Sequence, residues 1–143
     1  MSFKRFAVIA DIHGNSDALA AVLADIDALN IQTIINLGDH LSGPLAARET
    51  ADMLMAREMI AIRGNHDRWL VEKAVEDIGP SDRVAYDQLE ERHLAWLRDM
   101  PATKVLADGR ITDPLRSYAY AARCAVERWP PDRQSRQRWL SQL

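Results

Sequence analysis

Three short segments carry side chains able to hold a metal ion and to move a proton. They are Asp11-Ile12-His13-Gly14-Asn15, Gly38-Asp39 and Gly64-Asn65-His66-Asp67. Carboxylate, imidazole and amide donors suit Mn²⁺, Fe or Zn²⁺ better than soft metals. Each segment alone has an ordinary reading. The first can be a helix-entry loop with Asn15 as cap. Gly-Asp is a turn, and Gly-Asn is a turn signal. In the third, His-Asp directly after an apolar strand is more specific. The conjunction of all three, in order and at nearly even spacing, is what points to chemistry. Carboxylates and imidazoles gathered at one place repel one another or lack solvation unless a cation joins them.

Each segment ends a strand-like run. Lys4 to Ala10 reads as a buried strand, Ile31 to Leu37 as a second, and Met59 to Ile62 as a short third. Between them the spacing predicts a helix from Ser16 to Asn30, with Leu19, Val22, Leu23, Ile26 and Leu29 on one face. A second helix is predicted from Leu45 to Arg57, with Pro44 in its first turn. A helical stretch from Arg68 to Asp77 is broken by Gly79-Pro80-Ser81, and another helix runs from Gln88 to Met100. Thr103 to Leu106 reads as a strand, closed by an Asp108-Gly109 hairpin turn. Strand–helix–strand–helix–strand order implies an α/β fold with parallel strands and right-handed crossovers. Ligands of such sheets bind outside the carboxyl ends of the strands, so the three segments are expected to meet on one edge.

The bulk composition fits a globular chain. Of 143 residues, 48% are apolar and 27% charged, with 18 Lys+Arg against 21 Asp+Glu and a net charge of −3. The apolar share excludes a disordered chain, and no apolar run reaches the roughly 20 residues of a membrane helix. The lone Cys124 excludes an intramolecular disulfide and a cysteine-built zinc site. A soluble cytoplasmic protein is the expectation. The average hides a split: residues 1–109 carry 11 basic and 18 acidic side chains, while residues 110–143 carry 7 and 3, and all seven tail cations are Arg.

The set Asp11-x-His13, Gly38-Asp39 and Gly64-Asn65-His66-Asp67 resembles the calcineurin-like metallophosphoesterases, over residues 4 to about 109. Asn36-Leu37-Gly38-Asp39 leading into Ser42-Gly43-Pro44 is similar to the small bacterial branch. The resemblance implies a metallophosphoesterase-like α/β sandwich that hydrolyses a phosphomonoester or phosphodiester with two divalent metal ions. Mn²⁺ is the first expectation, with Fe, Zn²⁺ or Mg²⁺ as alternatives. It further implies that Asp11 and His13 bind the first metal, that Asp39 bridges both, and that Asn65 binds the second through its side-chain carbonyl. His66 is implied as the proton donor to the leaving group. Two cations lower the pKa of a bridging water and clamp the oxygens of an in-line displacement, and an imidazole suits proton transfer near neutral pH.

Neighbouring residues have two readings each. Arg63 and Arg68 flank the third motif and are candidate substrate-phosphate contacts, or plain surface charges. His40 reads as a loop or supporting residue, and His93 as a structural or surface one. Asp67 either orients His66 or caps the following helix. Trp69 and Trp96 read as core packing.

The family pattern continues with further histidines, but the four histidines here are His13, His40, His66 and His93. The expected return strand after Gly109 meets Arg110-Ile111-Thr112-Asp113-Pro114, and proline cannot donate in a central ladder. The reading is therefore a metallophosphoesterase domain truncated after about residue 109, followed by an atypical Arg-rich tail over 110–143. That tail reads as out-of-frame translation, as a disordered end or as a basic interaction segment, with nucleic-acid binding disfavoured. The alternative function is a catalytically inactive remnant that serves as a binding or scaffold domain, pairing its unfinished sheet edge with another copy.

Overall fold

The protein is described by a computed structural model over residues 5–104. Its sheet has three parallel strands, β1 (Ala7–Ile9), β2 (Ile34–Asn36) and β3 (Ile60–Ala61), in the order β1-β2-β3. Ala7, Val8 and Ile9 lie opposite Ile34, Ile35 and Asn36, and Ile35 and Asn36 lie opposite Ile60 and Ala61. The central strand is buried along its whole length. This matches the βαβαβ start expected of the α/β class. Each strand is shorter than the stretch predicted for it.

Helix α1 (Ser16–Ala28) begins where Asn15 accepts the Ala18 N–H at 3.0 Å, the capping role read for it. Leu19, Leu23 and Ile26 are buried at helical spacing, each contributing about 1.5–3 kcal/mol by leaving water. The helix stops at Asn30, whose φ of 53° reverses the chain. Helix α2 (Ala47–Met55) starts later than predicted, with Ala46 at its N-cap, so Pro44 precedes the helix and is not in its first turn.

Two larger differences lie after β3. Helix α3 (Asn65–Glu72) starts within the third motif rather than at Arg68, and Val75–Asp77 forms a separate 3₁₀ turn. The cause is Asp67, which accepts the Gly64 N–H at 2.9 Å and closes the helix start three residues early. Gly79-Pro80-Ser81 does not simply break a helix. It opens helix α4 (Pro80–Gln88), with Gly79 at the N-cap and Pro80 at the first position; proline's missing N–H costs nothing there. Helix α5 (Glu91–Asp99) follows. Thr103 and Lys104 are not in a strand. The rest of that predicted strand, the Asp108-Gly109 turn and the 110–143 tail lie outside the described residues.

One apolar cluster joins the sheet to α1, α2, α3, α4 and α5, through Ile9, Ile34, Leu23, Leu54, Leu70, Ala85 and Leu97 among others. Trp96 packs against it, as expected. His93 is fully buried: its Nδ1 accepts the Glu90 N–H and its Nε2 contacts Asp52 Oδ1, each at 3.0 Å. It ties α5 to α2 and is structural.

Candidate metal centre

The three loops that leave the strands are bound to one another mainly by backbone. Asp11 N–H donates to Gly38 O, His13 N–H to Asp39 O and Gly14 N–H to His40 O, all at 3.0 Å. This ladder fixes the first loop against the second. The second is fixed to the third by Asp67, whose carboxylate accepts the N–H groups of Asp39 (2.9 Å), His40 (2.8 Å) and Gly64 (2.9 Å). The third is fixed back to the second where His66 N–H donates to Asp39 Oδ1 at 3.0 Å. The sheet therefore delivers the loops, and the hydrogen bonds set their register.

At the junction, ligand atoms of Asp11, His13 and Asp39 lie within 4.8 Å of one another, and all three residues are half-buried. His13 Nε2 is 3.8 Å from Asp11 Oδ1. All three have positive φ, at 54°, 49° and 56°. Left-handed backbone at a non-glycine residue costs of order 1–3 kcal/mol, although Asp and His tolerate it better than most. At these three donors the ladder of backbone bonds holds that cost in place.

The donor set suits a divalent cation. The Asp11 carboxyl is pushed above its ordinary range, first by burial and then by the negative charge of Asp39, with His13 opposing. A cation between the carboxylates relieves both causes. His13 Nδ1 lies 3.0 Å from the Ser42 carbonyl oxygen and 2.8 Å from Ser42 Oγ. Donation from Nδ1–H to the carbonyl leaves the Nε2 lone pair available for a metal, the usual arrangement of a ligating histidine. The sequence marks Ser42 only as the first residue of the Ser42-Gly43-Pro44 loop; its buried place against His13 is visible only in the fold.

Glycine is required where the loops meet. A Cβ at Gly64 would collide with Asp39 Oδ1 and with the Asp39 backbone nitrogen. Gly64 therefore lets the third loop approach the Asp39 carboxylate directly.

The remaining residues fall in distinct places. Asn65 is the first residue of α3, on the loop that meets Asp39. His66 sits edge-on to His13 (ring centres 5.2 Å apart) and to Trp69 (4.5 Å). Trp69 thus packs on the site rather than in the core cluster, and Lys73 Nζ lies 4.4 Å from its ring centre. Asp67 caps α3 and contacts His40, not His66. Its burial favours the neutral form, but the charge and hydrogen bond of His40 and the backbone N–H groups prevail, holding the carboxyl below its ordinary range. Arg63 and Arg68 both pair with Glu72, at 3.4 and 4.0 Å. Among the described residues, no hydrogen bond or ion pair links either arginine to Asp11, His13 or Asp39. An open cleft of ≈ 390 Å³ lies beside the cluster, lined by His13, His66, Leu45, Pro80, Ser81 and Asp82 among others.

Acidic and imidazole donors thus gather on loops that follow successive parallel strands, beside an open cleft, in a group that could hold a metal ion. The calcineurin-like phosphoesterase family model matches residues 4–142, and the chain belongs to that family. The crystal structure of a metallophosphoesterase from Sphaerobacter thermophilus is similar at a TM-score of 0.62 and 29% identity, covering 75% of this chain and 45% of that one. A hypothetical protein from Pyrococcus horikoshii shares the fold, with a TM-score of 0.58, 23% identity, and coverage of 71% and 49%. An uncharacterized protein of Methanocaldococcus jannaschii is 39% identical over 61 residues, which is 43% of this chain and 25% of that protein. The chain thus spans about a quarter of the length of that relative and under half of the two solved neighbours. No helix among the described residues is long and apolar enough to cross a membrane.

Proposed function

We propose that the chain acts as a metal-dependent phosphoesterase, hydrolysing a phosphomonoester or phosphodiester. The observation that carries this reading is the convergence of Asp11, His13 and Asp39 ligand atoms within 4.8 Å, on loops locked together by backbone bonds. In this reading Asp11 and His13 would hold the first ion, Asp39 would serve both, and Asn65 would offer its amide carbonyl to the second. Mn²⁺ is the ion of first choice for this oxygen and imidazole donor set. Divalent ions held there would supply Lewis-acid chemistry toward water and the phosphoryl oxygens.

The protein's own groups do the rest. His13 keeps Nε2 available because Nδ1 is engaged by Ser42. Asp39 keeps one carboxylate oxygen fixed by the His66 N–H, which orients the other. His66, beside the cleft, donates a proton to the departing oxygen, and the cleft takes the leaving group. Arg63 and Arg68 would have to leave Glu72 to reach a phosphate.

The test is hydrolysis of bis(p-nitrophenyl) phosphate by the full chain with Mn²⁺, against His66→Ala and Asp39→Asn. Mn²⁺-dependent turnover that both variants lose supports the reading. Turnover that is absent, or equal in the variants, removes it.

A further inference from the structure

The His66 ring has a partner that lies in none of the three motifs. Asp82 Oδ1 is 3.4 Å from His66 Nδ1, and the two are 16 residues apart in sequence. The contact is long, as hydrogen bonds in unliganded clefts often are. Asp82 is buried, at 6% exposure, in the first turn of α4. An acid there ordinarily caps its own helix, but α4 has no side-chain cap. The Asp82 carboxylate is instead turned to the imidazole. Trp69 and His13 close on the ring edge-on, at 4.5 and 5.2 Å, so its plane is fixed on three sides.

We propose that Asp82 is the positioning residue for His66. Its carboxylate accepts the Nδ1 proton, selects that tautomer, and leaves Nε2 as the nitrogen that exchanges protons with substrate. This inference rests on the proton-donor reading of His66 above. In that step the ring enters with a proton on each nitrogen, and Nε2 gives its own to the leaving oxygen as the P–O bond breaks. The attacking water supplies hydroxide to phosphorus, and its proton restores Nε2. Throughout, Nδ1–H stays on Asp82, so the ring does not turn.

Two measurements on the full chain test it. Long-range ¹H–¹⁵N NMR of the metal-free protein reads the His66 tautomer without any activity. Wild type and Asp82→Asn, whose amide oxygen still accepts, are expected to hold Nδ1–H. Asp82→Ala is expected to revert to the Nε2–H form usual for a free imidazole. Asp82→Leu, close in volume, carries the same comparison if the alanine variant does not fold. Retention of Nδ1–H in both variants that lack an acceptor overturns the proposal. Second, with Mn²⁺ and the chromogenic diester, Asp82→Ala is expected to lower kcat about 10- to 100-fold with KM unchanged, and Asp82→Asn to recover part of it. A raised KM with kcat intact overturns it as well. If His66→Ala matches wild type, the proton-donor reading fails, and the tautomer measurement alone decides whether Asp82 holds the ring.

Discussion

Asp67 Oδ2 and His40 Nδ1 lie 2.7 Å apart, and both side chains are fully sealed from solvent. The same carboxylate receives three backbone N–H groups from two loops. A buried carboxylate is stable only with its lone pairs satisfied, and here the satisfaction is also what aligns Asp39. Removing it leaves His40 and three N–H groups without an acceptor. Asp67→Ala is expected to lose about 3–5 kcal/mol of folding stability, the usual cost of breaking a buried pair. Urea denaturation measures it, and a loss under about 1 kcal/mol would contradict the role assigned.

The acid limb of stability carries the same signature. Asp67 has a folded pKa below its ordinary 3.8. A carboxyl with a depressed folded pKa stabilises fully above the unfolded value, and that share is lost as pH falls through the folded value. The urea midpoint is therefore expected to fall as pH drops below about 3.8. In Asp67→Asn that portion of the slope should vanish. An unchanged slope would show that other carboxylates set the acid limit.

Gly64 has an extended backbone with φ of −75° and ψ of 179°, so alanine is tolerated by the main chain. Its Cβ is not tolerated by Asp39. Gly64→Ala is expected to cost about 1–3 kcal/mol through overpacking and to weaken Mn²⁺ binding by displacing Asp39. Gly79 has nothing within 4 Å of a built Cβ. Gly79→Ala should stay within about 1 kcal/mol of wild type, the range of an N-cap change. Equal effects of the two variants would remove the steric account.

Ser42 touches His13 through both its carbonyl and its hydroxyl. Ser42→Ala keeps the carbonyl and loses Oγ. Mn²⁺ affinity by calorimetry is expected to drop about tenfold, the lower end for partners that orient a metal ligand, with the fold retained. Unaltered affinity would mean that the carbonyl alone sets the ring.

The parts of the fold that were legible share a cause. β1 is a continuous apolar run, β2 carries the β-branched pair Ile34 and Ile35, and α1 shows its buried face at Leu19, Leu23 and Ile26, so local pattern and final burial agree. The candidate donors were legible because each follows a strand and the topology allows one meeting place. What escaped was set by tertiary partners. Gly79-Pro80 signals a break and a start equally well, which hid α4 and with it Asp82. Asp67 could be read as facing His66 or as capping α3; only the chain reversal at Gly38 and Asp39 decides that it receives the second loop. Ser42 is an ordinary loop serine until Gly43 and His13 come together.

The ladder between residues 11–14 and 38–40 uses main-chain atoms alone. Its register is indifferent to which side chains hang from it. Donors at Asp11, His13 and Asp39 can then be exchanged for asparagine, which also accepts a positive φ, without unfastening the loops. β-Branched residues are barred from the same places by their backbone geometry. On the proposed metal reading, the cation preference would be adjustable one side chain at a time, while the main-chain frame that presents those side chains stays as it is.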